Sequence, residues 1–114
     1  MARGDRKWQS REIVERDRIK FEEQGNAVEG YVTKVRTFTS RYGENTSVEI
    51  SALVDQETGE TKESFFFCNW DLSEKLFNTG SPVKSGDYVR ITYIEDRETP
   101  QGDMKVFEVL VAQD

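Results

Sequence analysis

The chain has 114 residues, enough for one modest core, with 35% apolar residues, 33% charged residues and a net charge of −6. With no histidine and one cysteine, Cys68, it excludes Ser-His-Asp and Cys-His catalysis, a His/Cys metal centre and an intrachain disulfide. The acidic pairs Glu22-Glu23 and Glu95-Asp96 sit in polar, turn-like surroundings, where carboxylates stay solvated rather than act as a dyad with a raised pKa. A non-enzymatic protein is expected, with no cofactor. No apolar run approaches the ~18–20 residues that cross a bilayer, and MARGDRKWQS lacks the apolar stretch of a signal peptide. These features predict a cytoplasmic protein that takes neither membrane nor metal as a partner.

Charge is unevenly placed. Residues 1–20 carry seven Lys/Arg against four Asp/Glu, a net of +3, and residues 21–114 carry nine against eighteen, a net of −9. Residues 1–26 therefore read as a basic N-terminal arm, and 27–114 as the folded body. Within the arm, Ser10 is a candidate cap for a short helix over REIVERDRIKFEE, supported by Glu12 and Arg16 at i,i+4. Its apolar positions Trp8, Ile13, Val14, Ile19 and Phe21 make no single stripe, so the helix is short or needs a partner surface. Gly25-Asn26 ends it.

From Val28 the period becomes two. AVEGYVTKVRTF predicts a first strand with Val28, Gly30 and Val32 on one face. A shift at Lys34-Val35 reads as a bulge, past which Lys34, Arg36 and Phe38 share a face. SVEISALV is a second strand with Val48, Ile50, Ala52 and Val54 on the apolar side, and the turn from Asp55 to Glu60 carries Gly59 for a positive φ. TKESFFFCNW is a third strand whose Phe65-Phe66-Phe67 run places aromatic rings on both faces. NWDLSEKLFNTG then has the period of a short helix, capped by Asp71 or Ser73, with Leu72, Leu76 and Phe77 apolar and Gly80 as its stop. After the Lys84-Ser85-Gly86-Asp87 turn, Val89, Ile91 and Tyr93 define a fourth strand, and Phe107, Val109 and Val111 a fifth.

The predicted order β-β-β-α-β-β implies an all-β fold: a small five-stranded Greek-key barrel of the OB kind, with a short helix between the third and fourth strands and a polar, partly helical arm. The alternative, an open five-stranded sheet of the SH3 kind or a sandwich, gives no reason for a helix at that place. In that architecture the binding face crosses the second and third strands. Lys34, Arg36, Phe38, Arg41 and Tyr42 come from the first strand and its loop, Phe65, Phe67 and Trp70 from the third strand and its end, and Arg97 and Lys105 flank the last hairpin. Planar rings interleaved with cations suit single-stranded nucleic acid, because bases stack on aromatics while Lys and Arg follow phosphates. Residues 34–42 contain no acid in an otherwise acidic body. Each member also has a plainer reading: core aromatics for the Phe run, a staple between helix and barrel for Trp70, a solubilised edge for the cations. Tyr31 and Tyr93 read as structural, and Cys68 as a small buried residue.

The basic first strand, TSRYGEN at 39–45, the alternating second strand, the aromatic third strand, the Leu-rich helix and KSGDYVRI at 84–91 together resemble small OB-fold single-stranded DNA-binding proteins of the phage type. The likeness spans residues 28–112. It implies DNA contact by Lys34, Arg36, Phe38, Tyr42 and an outward aromatic of the third strand, and a role in replication or recombination in the host cytoplasm. The alternative expectation is a structural module, a virion or assembly component whose arm contacts neighbouring subunits. The arm also offers a handle for a homo-oligomer.

Overall fold

A computed structural model describes residues 16–41 and 43–112. It is an all-β fold with one short helix. The elements are β1 (Asp17–Arg18), β2 (Ala27–Ser40), β3 (Gly43–Asp55), β4 (Glu60–Phe67), α1 (Trp70–Phe77), β5 (Tyr88–Thr99) and β6 (Gly102–Val111). They form one six-stranded sheet in the order β1-β4-β3-β2-β5-β6, in which β1 runs parallel to β4 and the other neighbours are antiparallel. The five longer strands and the helix follow the expected order. Two differences stand out: there is a sixth strand, and no strand pairing joins the ends of the sheet.

The sixth strand corrects the expected arm helix. Residues 11–15 lie outside the described residues, but 16–22 are extended rather than helical. Asp17 and Arg18 stand opposite Ser64 and Phe65, and the Ile19 N–H donates to the Phe65 carbonyl at 2.8 Å. Phe21 then turns into the core, edge-on to Phe107 at 4.9 Å and to Phe66 at 6.1 Å between ring centroids. One i,i+4 ion pair is worth only ~0.3–0.5 kcal/mol, whereas burying a Phe side chain contributes about 1.5–3 kcal/mol. Tertiary burial therefore overrides the helical pattern.

The core confirms the alternation. Val28, Val32, Val48, Ile50, Ala52, Phe66, Val89, Ile91, Tyr93 and Phe107 are buried from the strands, with Leu72 and Leu76 buried from the helix. A register shift between Val32 and Lys34 is the expected bulge. Similar shifts fall between Leu53 and Asp55 and between Tyr93 and Glu95. The first of these shifts falls at Val54, which is exposed although the sequence pattern placed it inside.

The helix is capped by Asn69, not by Asp71 or Ser73. The Asn69 side chain accepts from the Leu72 N–H at 2.8 Å and donates to the Lys105 carbonyl at 2.8 Å. Asp71 is instead buried: its carboxylate accepts from the Phe107 N–H at 2.9 Å and pairs with Lys75 at 2.9 Å. Lys75 in turn donates to the Phe107 carbonyl at 2.6 Å. The edge of β6 that faces away from β5 is thus satisfied over Lys105 and Phe107 by helix side chains.

Gly30 lies where β2 pairs with both β3 and β5. A Cβ there would stand 2.0 Å from the Ser51 carbonyl oxygen. Gly30→Ala is expected to lower stability by at least ~2 kcal/mol, read as a shift of the urea midpoint without loss of cooperativity. Cys68 is partly buried, and burial pushes its thiol up to about 12. At pH 8 its alkylation by iodoacetamide should be on the order of a thousandfold slower in the native protein than in urea, because only the thiolate reacts.

A candidate nucleic-acid interface

The register of the sheet places the predicted residues. Across β2-β3-β4-β1 one row reads Lys34, Glu49, Phe65, Arg18; the next reads Arg36, Ser47, Phe67; beyond it Phe38 faces Asn45. Residues directly opposite share a face, so these side chains occupy one wall, on the side away from Val32, Ile50 and Phe66. The bulge before Lys34 is what turns the β2 residues onto it. With Phe66 fully inside, Phe65 and Phe67 must both point outward.

The rings meet on that wall. Phe67 lies edge-on to Phe38 at 6.2 Å and to Phe65 at 5.6 Å, and both Phe38 and Phe67 remain 42% exposed. Exposed rings in contact offer flat surface at little further cost in ordering. Arg18 from β1, which the sequence reading did not single out, lies over Phe67 with its guanidinium carbon 4.8 Å from the ring centroid. Tyr31, read as structural, is 56% exposed in the next row toward β5, edge-on to Tyr88 at 4.8 Å. The Glu29 carboxylate, hydrogen-bonded to the Tyr88 hydroxyl, pushes that phenol up to about 12. Tyr93, in contrast, is core, as expected.

Charge on the wall is mixed. Glu49 is only 8% exposed and sits among the rings, held by Arg36 Nε at 3.3 Å and Arg16 Nε at 3.8 Å. Glu63 accepts from the Ser51 hydroxyl at 2.7 Å. Arg16, Arg18, Lys34 and Arg36 against Glu49 and Glu63 leave a local net of +2 in a chain of −6. Glu49 lies on the face of β3 opposite Val48 and Ile50, and the two arginines beside it explain how a carboxylate is buried there.

The remaining predicted residues are dispersed. Arg41 is exposed at the turn between β2 and β3, and Tyr42 lies outside the described residues. Trp70, at the first position of α1, is 67% exposed, so it does not staple the helix to the sheet. It borders an open groove of about 730 Å³ shared with Asn69, Met104, Lys105 and the β5–β6 turn. The Lys105 ammonium is engaged internally: it donates to the Phe21 carbonyl and lies 5.2 Å from the Tyr93 ring centroid. Arg97 pairs with Glu95 at 3.5 Å on the acidic β5–β6 hairpin. Among the described residues there is no group of three or more His, Cys, Asp or Glu that could hold a metal, and no helix long and apolar enough to cross a membrane. Comparison with protein-family models, with curated proteins and with solved structures returns no match.

The Arg36–Glu49 pair is asymmetric in what its halves cost. Arg36→Ala should lower stability by about 1 kcal/mol, because it leaves a nearly buried carboxylate with one loose partner. Glu49→Gln should change it by less than ~0.5 kcal/mol, since the half-exposed Arg36 can hydrate. Chemical denaturation of the two variants checks both values.

Proposed function

We propose that this protein is a sequence-tolerant binder of single-stranded nucleic acid, with DNA favoured, acting in replication or recombination in the cytoplasm. The observation that carries the reading is the outer wall of β2, β3 and β4, where Phe38, Phe65 and Phe67 meet among Lys34, Arg36 and Arg18. Base stacking on such rings is worth ~1–3 kcal/mol per base and tolerates any sequence, while the cations meet phosphates. Arg41 adds a cation at the β2–β3 turn, Trp70 offers a further flat surface by the β5–β6 turn, and Tyr42 enters as a candidate from the sequence alone. Arg97 and Lys105 enter as flanking residues, their charges already engaged.

The finer architecture belongs to the same reading. β2, β3 and β4 are joined in sequence and β5 returns beside β2, a connection that supports reading them as a Greek key. With β6 added, we read the sheet as an OB-type barrel left open between β4 and β6 and filled there by α1 and the N-terminal segment. A second reading, an assembly module or homo-oligomer, draws on the exposed Leu110 and Val111 at the edge strand β6, since apolar edge strands invite pairing.

Titration of fluorescein-labelled oligo-dT at ~50 mM salt tests the first reading. Binding should weaken as salt rises, and single strands should compete better than duplex. Phe38→Ala with Phe67→Ala should cost at least ~10-fold in affinity, and joint charge reversal of Lys34, Arg36 and Arg41 should abolish binding with the fold intact by circular dichroism. No binding by the wild-type protein removes the reading, and a defined oligomer under the same conditions would favour the second.

A further inference from the structure

The N-terminal segment is fastened chiefly by groups other than the side chains of its arginines. Phe21 is buried against Phe66 and Phe107, the Phe21 carbonyl takes the Lys105 ammonium, the Ile19 N–H is bonded to Phe65, and Asp17 pairs with Lys62. Alternation along β1 sends Asp17 to one side, and Arg16 and Arg18 to the other, the side of the aromatic wall. Arg18 stands in the row of Phe65 and over Phe67. In a body rich in carboxylates, it has no acidic partner among the described residues. Arg16 reaches Glu49 at 3.8 Å, yet its Nε is buried without a hydrogen-bond partner.

Resting on the reading of this wall as a nucleic-acid interface, we propose that β1 is its second cationic margin, with Arg18 and Arg16 binding phosphates of a single strand. Three strand spacings of ~4.8 Å separate β1 from β2, so the wall is a trough about 14 Å across. Lys34 and Arg36 lie on one margin beside Phe38, Arg16 and Arg18 on the other, with Phe65 and Phe67 between. Arg18 does not seal the trough, because Phe38 and Phe67 keep 42% of their surface with it in place. A guanidinium already stacked on a ring is a preorganised planar cation: it takes a phosphate at its edge and a base on its open face. A single strand crossing the trough therefore meets positive charge on entry and on exit.

The test uses the full chain and labelled oligo-dT over a series of NaCl concentrations. Arg16→Gln with Arg18→Gln should flatten the plot of log affinity against log salt by about 1.4, two single-strand phosphates at ~0.7 each. It should also weaken binding at least ~10-fold near 0.1 M salt. Arg16→Lys with Arg18→Lys should keep the slope while losing part of the affinity, because the charge remains and the planar stack does not. If the double Gln variant melts early, Arg18→Gln alone carries the test with a slope change of about 0.7. An unchanged slope and affinity in the Gln variants, while Lys34→Gln with Arg36→Gln loses both, overturns the margin and leaves the wall standing. Tighter binding by the Gln variants also overturns it, since the segment then covers the rings. A wild-type protein that binds no oligo-dT at ~50 mM salt refutes the reading of the wall itself.

Discussion

The open edge of β6 is the constraint on which the rest of the molecule depends. An edge strand that is covered rather than paired must satisfy its backbone groups in another way, because buried backbone groups without partners cost about 1–3 kcal/mol each. Here the Lys105 carbonyl, the Phe107 N–H and the Phe107 carbonyl take Asn69, Asp71 and Lys75 as partners. Three side chains, from the cap and the first two turns of the helix, stand in for a strand there. This accounts for an aspartate buried at the start of α1, which would otherwise be an expensive choice.

The N-terminal segment completes that closure and joins it to the outer wall. Its Phe21 ring packs against both Phe66 of β4 and Phe107 of β6. The residues before it must then run along β4, and β1 forms there because the Phe65 backbone has a free edge to offer. Inside and outside are therefore coupled through one short stretch: the ring that fills the core fixes where Arg16 and Arg18 stand on the surface. Lys105 has a matching double role, since its backbone is held by the helix and its ammonium by the Phe21 carbonyl. That is why a lysine picked out from the sequence as a phosphate contact is chiefly a fastening of the segment.

Much of the body could be read from alternation, because each long strand has one face in the core. Val48-x-Ile50-x-Ala52 and Val89-x-Ile91-x-Tyr93 show it without ambiguity, and the break before Lys34 announced the bulge. Three neighbouring phenylalanines carry no such phase. Which of them is buried is decided by pairing with β3, where Phe66 meets Val48. A two-residue parallel strand has no local signature, since its partner lies more than forty residues away. The burial of Glu49 was not legible for a related reason: it depends on Arg36 of β2 and on Arg16 just before β1. The helix was legible, but its cap was not, because Asn69, Asp71 and Ser73 are all good caps and only the β6 edge distinguishes them.

The electrostatics of the wall bear on what kind of nucleic acid the proposed interface would take. At ~0.1 M salt the Debye length is about 10 Å, so a ligand on the wall responds to the local +2 more than to the −6 of the whole chain. A duplex offers phosphates and hides its base faces, and a wall so modestly charged, with Glu49 at its centre, has little to hold it. A single strand offers both, and on the proposed reading the exposed faces of Phe38 and Phe67 would supply the larger part of the free energy. The carboxylate costs some general affinity for phosphate, and it keeps Arg36 and Arg16 in fixed positions beside the rings. On this arrangement preference for single strands arises from weak charge combined with available aromatic surface, and an acidic protein becomes compatible with a nucleic-acid partner.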